Sequence, residues 1–510
     1  MNNYYITSLW EIFEETVKQN GSKIAIINKN FFYTYNEYYE NVCSLTHYLS
    51  ENKQLLSKDK ILIYAENSFL FACYIMACIK LNITLIPLNN KLSKEDFTKI
   101  YSDTNPSIVF TDQNWVIEEG IGEALTLPKY AYHKNYCNSI NNNKDNDVVF
   151  ILFSSGSTGE IKGIECTESA IIASTFAINE IIGNTVDDNI LCILDFSFDY
   201  GLYQLILAFE VGAAVTILTS NDNILRIPDY IKKYEVTGFP ATPFLLKTLF
   251  ETKRASHDKL KNLRYISSTG DHLSSTLIDL YINLLPNTNL FPMYGLTECK
   301  RVSILKPEEY ATHKNSVGKT ISCCEARVVD CLGNEVPRGT EGELVITGSN
   351  IMKGYYNDPE LTNEKFSIND LGEIELHTGD IFSMDNEGYL YFKNRTQNFI
   401  KLREKRVSPL SIENDILNRV DGIIECLIVP IHDYLNPDKI CCFLRLDKDY
   451  SIETIIKEIH NKLSKKYFPD YFCNYNEMFL YNKNGKIDRR AMEKVAQKKH
   501  EECSLIKGIL

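Results

Sequence analysis

The chain has 510 residues, 44% hydrophobic and 24% charged, enough for several domains around a large buried core. A formal net charge of −13 and an isoelectric point near 5.3 argue against general nucleic-acid or anionic-membrane binding. The longest apolar run, Phe69 to Ile79, is too short to span a bilayer, and the opening MNNYYITSLWEIFEE lacks both parts of a signal peptide, so a cytoplasmic protein is expected. The 15 cysteines form no C-x-x-C and lie in apolar runs, which predicts reduced buried thiols rather than a disulfide framework.

In chain order, Leu9 to Val17 has amphipathic helical spacing, and Ile24–Asn28 and Phe31–Thr34 read as strands. Tyr35 to Leu49 returns to helix; Ile61–Tyr64 is a strand, Ser68 to Lys80 a helix, and Thr84–Pro87 a strand. Ser93 with Asp96 three residues on opens another helix, followed by a strand at Ser107–Thr111. This alternation predicts parallel sheet covered by helices. Polar, Asn-rich Tyr136 to Asp147 is a linker into an apolar strand at Asp147–Phe153, and Thr167 to Ile182 is again helical. Strands follow at Ile190–Leu194, Ala214–Leu218 and Leu263–Ser267, with helices near Leu202–Val211 and after Pro240. From Ser316 to about Phe392 glycines multiply and short alternating strands replace helices, suggesting a small β-barrel or sandwich. After Arg395 strand and helix mix to about Arg490, and a helical, partly charged tail ends the chain.

Between the strand and the helix stands Phe153 to Gly163, FSSGSTGEIKG. Gly156, Gly159 and Gly163 let backbone N–H groups approach a ligand closely; Ser154, Ser155, Ser157 and Thr158 add donors, and Lys162 adds a positive charge. Such a loop suits a polyphosphate, although a Gly/Ser surface loop is the ordinary meaning of this composition. It is not a G-x-x-x-x-G-K-[ST] loop, because no Lys directly follows Gly159 or Gly163. The stretch resembles the phosphate loop [ST]-S-G-[ST]-T-G-x-P-K-G of the AMP-forming acyl-adenylating enzymes. That family includes acyl-CoA ligases, luciferases and the adenylation domains of nonribosomal peptide synthesis. Ile161 stands at the family proline.

Four further segments carry the resemblance. Met293-Tyr-Gly-Leu-Thr-Glu298 is similar to Y-G-x-T-E, and the likeness implies Tyr294 and Gly295 beside the adenine, Thr297 on the α-phosphate and Glu298 on Mg²⁺. Upstream, Ser268-Thr-Gly-Asp-His-Leu273 takes the place of a G-G/S-G-E-x-L segment, so Gly270 and Asp271 are implied on the adenine side. His377-Thr-Gly-Asp380 and Asn394-Arg395 match T-G-D and G-R; Asp380 is implied to accept from the ribose hydroxyls and Arg395 to contact ribose and phosphate. Lys483-Asn-Gly-Lys-Ile-Asp-Arg489 resembles N-G-K-I-D-R, with Lys486 implied to bridge the substrate carboxylate and the α-phosphate. Alone, each segment could be a turn with a solvated side chain; in this order, from about residue 8 to 490, that becomes improbable.

The resemblance implies a large N-terminal α/β domain, parallel sheets covered by helices plus a small β-barrel, and a smaller mobile α+β C-terminal domain. The expected boundaries are 1–394 for the first domain (its β-rich part about 316–394), 395–397 for a hinge, and 398–510 for the second domain with its tail. The implied reaction uses ATP and Mg²⁺ to convert a carboxylate to acyl-AMP and pyrophosphate, then transfers the acyl group to a thiol. The thiol belongs to a separate acyl or peptidyl carrier protein or to coenzyme A, since no phosphopantetheine site is visible downstream.

Asn394, Gln397 and Glu404 depart from the family pattern where a glycine, a hinge Asp or Lys, and a glycine are usual. A carboxylate at Glu404 predicts slow transfer to free, anionic coenzyme A and a protein-bound acceptor; a local rearrangement pointing it to solvent is the equal alternative. Ser197-Phe-Asp-Tyr-Gly201 is similar to the S-F-D-x-[SG] segment of amino-acid-activating members, so Asp199 is implied to pair with a substrate α-ammonium. Otherwise Asp199 only caps a helix starting at Tyr200, which leaves an AMP-forming acyl-CoA ligase acting on a non-amino acid. A catalytically silent binding or regulatory relative is the competing class. The joint presence of Lys162, Glu298, Asp380 and Lys486 speaks against it.

Overall fold

The structure is a computed structural model that describes residues 8–126, 148–155, 161–219, 222–395, 400–402, 405–433, 436–463, 468–475, 477–481, 487–502 and 504–508. The chain divides into two compact units, Met1–Arg327 with Val345–Thr378, and Val328–Leu344 with Gly379–Leu510.

The first unit is built on two large sheets. A nine-stranded sheet has at its centre the parallel run Asn289–Tyr294, Tyr265–Ser268, Gly238–Ala241, Asn189–Cys192, Ala214–Ile217 and Ile24–Asn28. A seven-stranded sheet runs Gly354–Tyr355, Ile161–Thr167, Val148–Ser155, Thr84–Leu88, Lys60–Tyr64, Ile108–Thr111 and Glu123–Ala124. Its strands are near-continuous apolar runs because helices cover them: Ile61, Leu62, Ile63, Leu85 and Ile86 are all fully buried. Helices begin where the sequence places hydroxyl caps. The Ser8, Ser68 and Ser93 side chains accept from Glu11, Phe71 and Asp96 N–H, opening Leu9–Asn20, Phe69–Leu81 and Lys94–Thr104. Phe69–Leu81 is apolar on every side and almost wholly buried, as a helix within the core must be. Phe13, Tyr38 and Phe209 meet with ring centroids 5.2–5.5 Å apart, tying the first helix to Asp199–Val211.

One element departs from the predicted order. The Gly/Ser stretch does not pass straight into the helix at Glu168–Ile182: the chain returns first as the strand Ile161–Thr167, antiparallel to Val148–Ser155, with Ser154 opposite Lys162. Alternation of buried Ile164 and Cys166 with half-buried Glu165 carries this strand, a period-two pattern obscured by the glycines before it. The glycine-rich region beyond 316 does form short strands. In the first unit Phe366–Ile368 pairs antiparallel with the start of Ile374–Met384.

In the second unit the end of Ile374–Met384 pairs with Leu390–Arg395, placing Asp380 opposite Arg395. A four-stranded sheet follows, in the order Ile423–Asp433, Asn436–Leu446, Tyr471–Asn474 and Ile506–Lys507. Helices Pro409–Arg419 and Ile452–Lys462 bury Ile412, Ile416, Ile455 and Ile459 against it. The helical tail is a correction: Arg489–Glu501 buries Met492 and Ala496, and Ile506–Lys507 adds an edge strand to Tyr471–Phe472. Twelve of the thirteen described cysteines are free, ten of them buried, but Cys43 is disulfide-bonded, a correction to the expectation of reduced thiols throughout. No helix among the described residues is long and apolar enough to cross a membrane.

Candidate functional site

The candidate site grows from a tight loop between the strands Asn289–Tyr294 and Ser303–Ile304, which pair antiparallel. The loop closes through Val302 N–H donating to the Tyr294 carbonyl at 2.9 Å and Cys299 N–H to the Leu296 carbonyl at 3.1 Å. Gly295 is required there, since a Cβ would lie 2.2 Å from the Lys300 carbonyl oxygen. Lys300 itself sits at φ 58, the left-handed region that costs a non-glycine residue energy. The loop thus has two outputs. Tyr294, Thr297 and Glu298 stay half-buried, while Lys300 and Arg301 turn inward and are each 2% exposed.

Glu298 ties this loop to the Gly354–Tyr355 edge strand beside the 148–167 hairpin. Its Oε1 accepts from the Tyr355 hydroxyl at 2.6 Å, and burial together with that carboxylate pushes the phenol's pKa up. Gly354–Tyr355 forms the edge strand beside Ile161–Thr167, and Tyr356 N–H donates to the Gly163 carbonyl at 2.8 Å. Ser154 and Lys162 are half-buried and face each other near the loop end of the hairpin. Gly156, Ser157, Thr158 and Gly159 lie outside the described residues, as does the side chain of Ser155. Ile161, at the family proline, pairs with Ser155 and begins the returning strand.

On the inner side, Lys300 meets Asp199. The ammonium donates to the Asp199 carbonyl oxygen at 2.9 Å and lies 3.6 Å from carboxylate Oδ2. It stands over the Tyr203 ring, 4.0 Å from the centroid. Burial pushes Lys300 down to about 7 against the opposing pull of Asp199, with Arg301 adding to the depression. Asp199 is the first residue of Asp199–Val211; Phe198 is the cap, and no side chain caps that helix end. The capping alternative therefore does not hold. The carboxylate is 8% exposed, and its partner among the described residues is Lys300.

Arg301 donates through Nη1 to Thr269 Oγ1 at 2.6 Å, and its guanidinium lies 5.4 Å from the Tyr200 ring centroid. Next to Thr269, Gly270 has φ +96 with open space where a Cβ would project, and Asp271 is exposed, accepting from His272 N–H. The first unit thus brings together the hairpin, the 294–301 loop, Asp199 and the 269–271 turn. Asp380 and Arg395 belong to the second unit, where Arg395 Nε pairs with the 2%-exposed Asp380 at 3.1 Å. Lys486, Gln397 and Glu404 lie outside the described residues, and Asn394 is buried. Sequence reasoning missed Lys300 and Arg301. Their signal was two adjacent cations between Cys299 and Val302, in a segment whose neighbours are apolar.

Two large helix-covered sheets, with Glu298 held beside the strand Ile161–Thr167, place the first unit in the α/β class. The chain belongs to the AMP-binding enzyme family, whose model matches residues 13–356. It is 26% identical over 520 residues to zwittermicin A synthase ZmaJ of Bacillus cereus, covering 98% of both chains. Bacitracin synthase 3 of Bacillus licheniformis is 24% identical over 502 residues, and there the match spans 95% of this chain but 8% of the relative. The fold is shared with the o-succinylbenzoate coenzyme A synthetase of Bacillus subtilis in complex with ATP and magnesium, at TM-score 0.79 and 22% identity, covering 95% of this chain and 99% of that one. The chain is accordingly an AMP-forming ligase that adenylates a carboxylate.

Proposed function

We propose that the carboxylate is that of an α-amino acid, with Asp199 holding the ammonium group. The observation that supports this reading most is the sparse pairing of the buried Asp199 carboxylate, whose partner among the described residues is Lys300. A carboxylate this buried ordinarily accepts several hydrogen bonds, and leaving it without them costs free energy. Lys300 at 3.6 Å is a distant partner on one oxygen only. A substrate ammonium supplies the missing donors. Because Lys300 is already pushed down to about 7, an arriving cation can displace its proton at little cost.

The remaining roles follow the site's chemistry. Ser154, Ser155, Gly156, Ser157, Thr158, Gly159 and Lys162 receive the triphosphate; Gly270, Asp271, Tyr294 and Gly295 border the adenine; Asp380 and Arg395 hold the ribose. Thr297 and Lys486 meet the α-phosphate. ATP, with Mg²⁺ neutralising its phosphates, supplies the phosphorus that the carboxylate attacks. Glu298 suits that ion, because Mg²⁺ is commonly held by one or two carboxylates together with phosphates and water. Among the described residues no group of three or more His, Cys, Asp or Glu could hold a metal by itself. The boundaries at 394 and 398, with a hinge at 395–397, and a carrier-protein thiol as acceptor complete the proposal.

Amino-acid-dependent pyrophosphate exchange tests it. Asp199→Ala is expected to lower exchange on the order of 10²-fold, the usual effect of removing one member of a buried charge pair, with the KM for ATP unchanged. Wild-type turnover of simple fatty or aryl acids, with no amino acid accepted, overturns the reading.

A further inference from the structure

Once Asp199 is committed to a substrate ammonium, the buried Arg301 guanidinium beside it is left without a carboxylate among the described residues. Arg301 is among the largest fully buried side chains, and its Nε has no hydrogen-bond partner. Asp199 is the carboxylate beside the two cations, and it is paired to Lys300. Lys300 can shed its proton, but a guanidinium keeps its charge even when buried. An uncompensated buried charge is expensive, and Thr269 and the Tyr200 ring, both neutral, offset it only in part. Arg301 and Lys300 line a narrow cavity with Tyr200, Ser267 and Met293. Tyr200 is itself fixed there, its hydroxyl 2.8 Å from Ser267 Oγ.

We propose that Arg301 is a specificity-determining residue, and that this cavity takes a side-chain carboxylate, so that the substrate is a short dicarboxylic α-amino acid. The inference rests on the reading of Asp199 as the ammonium anchor and extends it. A carboxylate entering beside Tyr200 accepts from the free Nε and restores neutrality. Asp199, paired with the cavity-lining Lys300, then takes the positive group of the substrate, and Arg301 takes the second negative one. The same geometry rejects the isosteric amide, which carries no charge to compensate the guanidinium and brings its own N–H donors against it. An apolar side chain fares no better, since it leaves Arg301 unpaired and seals it from water.

The test is pyrophosphate exchange by the full chain with aspartate and glutamate, against asparagine, glutamine, alanine and leucine, and against succinate and glutarate, which lack the amino group. The wild type is expected to favour the acidic amino acids over their amides by on the order of 10²-fold in kcat/KM. Arg301→Met is expected to bring that ratio close to one, and Arg301→Lys to keep part of it. Thermal midpoints of both variants separate lost selectivity from lost folding, and the wild-type ratio stands even if Arg301→Met does not fold. Neutral amino acids exchanging as fast as acidic ones overturn this proposal and leave the amino-acid reading intact. Exchange with succinate or glutarate but with no amino acid supports the carboxylate subsite and overturns the ammonium anchor. Absence of exchange with every diacid overturns the subsite.

Discussion

Asp195 lies on the turn that feeds the Asp199 helix, and its environment is tuned against its charge. Burial raises its pKa from 3.8 to about 6, with Glu66 adding to the shift while Lys91 and a hydrogen bond from the Asn89 side chain oppose it. Between about pH 3.8 and 6 the native state therefore holds a proton that the unfolded chain has released. Stability falls as pH rises through that window and stays lowered above it. Asp195→Asn removes the ionisable group but keeps an acceptor for Asn89. The variant is expected to exceed the wild type at pH 7 by on the order of 1–2 kcal/mol, with the gain shrinking toward zero near pH 4. Urea midpoints at several pH values measure this; a gain independent of pH assigns the effect to packing instead.

At the scale of elements, the parts legible in the sequence were those where one local rule acts without competition. Ser93 announces its helix because a hydroxyl cap is a contact within one turn, and the parallel strands show as unbroken apolar runs. The strand Ile161–Thr167 was hidden because its pairing partner and its edge neighbour Gly354–Tyr355 both lie outside any local window. The inward turn of Lys300 and Arg301 was hidden for a related reason: only the folded loop decides which side chains of residues 294–301 face the interior. Gly201 shows the same limit. Within a helix a glycine ordinarily weakens it, yet here a Cβ would lie 2.3 Å from the Asp195 carbonyl oxygen and 2.4 Å from that of Leu194. The first turn of Asp199–Val211 packs directly on the incoming chain and allows no side chain there. Gly201→Ala is expected to lose about 1–3 kcal/mol, the usual range for overpacking, and to lower exchange with it by displacing Asp199. Unchanged denaturant midpoints in that variant would show that the two segments can separate freely.

For the whole molecule, the proposed chemistry is divided between two units of one chain. The hairpin, Glu298 and Asp199 belong to the first, and the segment bearing Lys486 to the second. Just beyond Lys486 the chain is firmly held. Ile487 bridges to Tyr481, Asp488 caps Arg489–Glu501, and Arg489 makes two 2.8 Å bonds to Glu413 and one of 3.0 Å to the Ile428 carbonyl. A carboxylate approaching a phosphate brings like charges together, so a cation placed between them matters in the adenylation step and not in the later attack of a thiol. Lys486→Ala is thus expected to lower pyrophosphate exchange by at least about 10²-fold, with the thermal midpoint unchanged. Transfer from a chemically prepared aminoacyl-adenylate to a carrier-bound thiol should stay within about twofold of wild type, and free coenzyme A should be the poorer acceptor in both proteins. Arg489→Ala separates position from chemistry: breaking its partly buried pair with Glu413 should lower the melting temperature together with both half-reactions. If Lys486→Ala slows thiol transfer as much as exchange, the lysine serves both steps and the division between them fails.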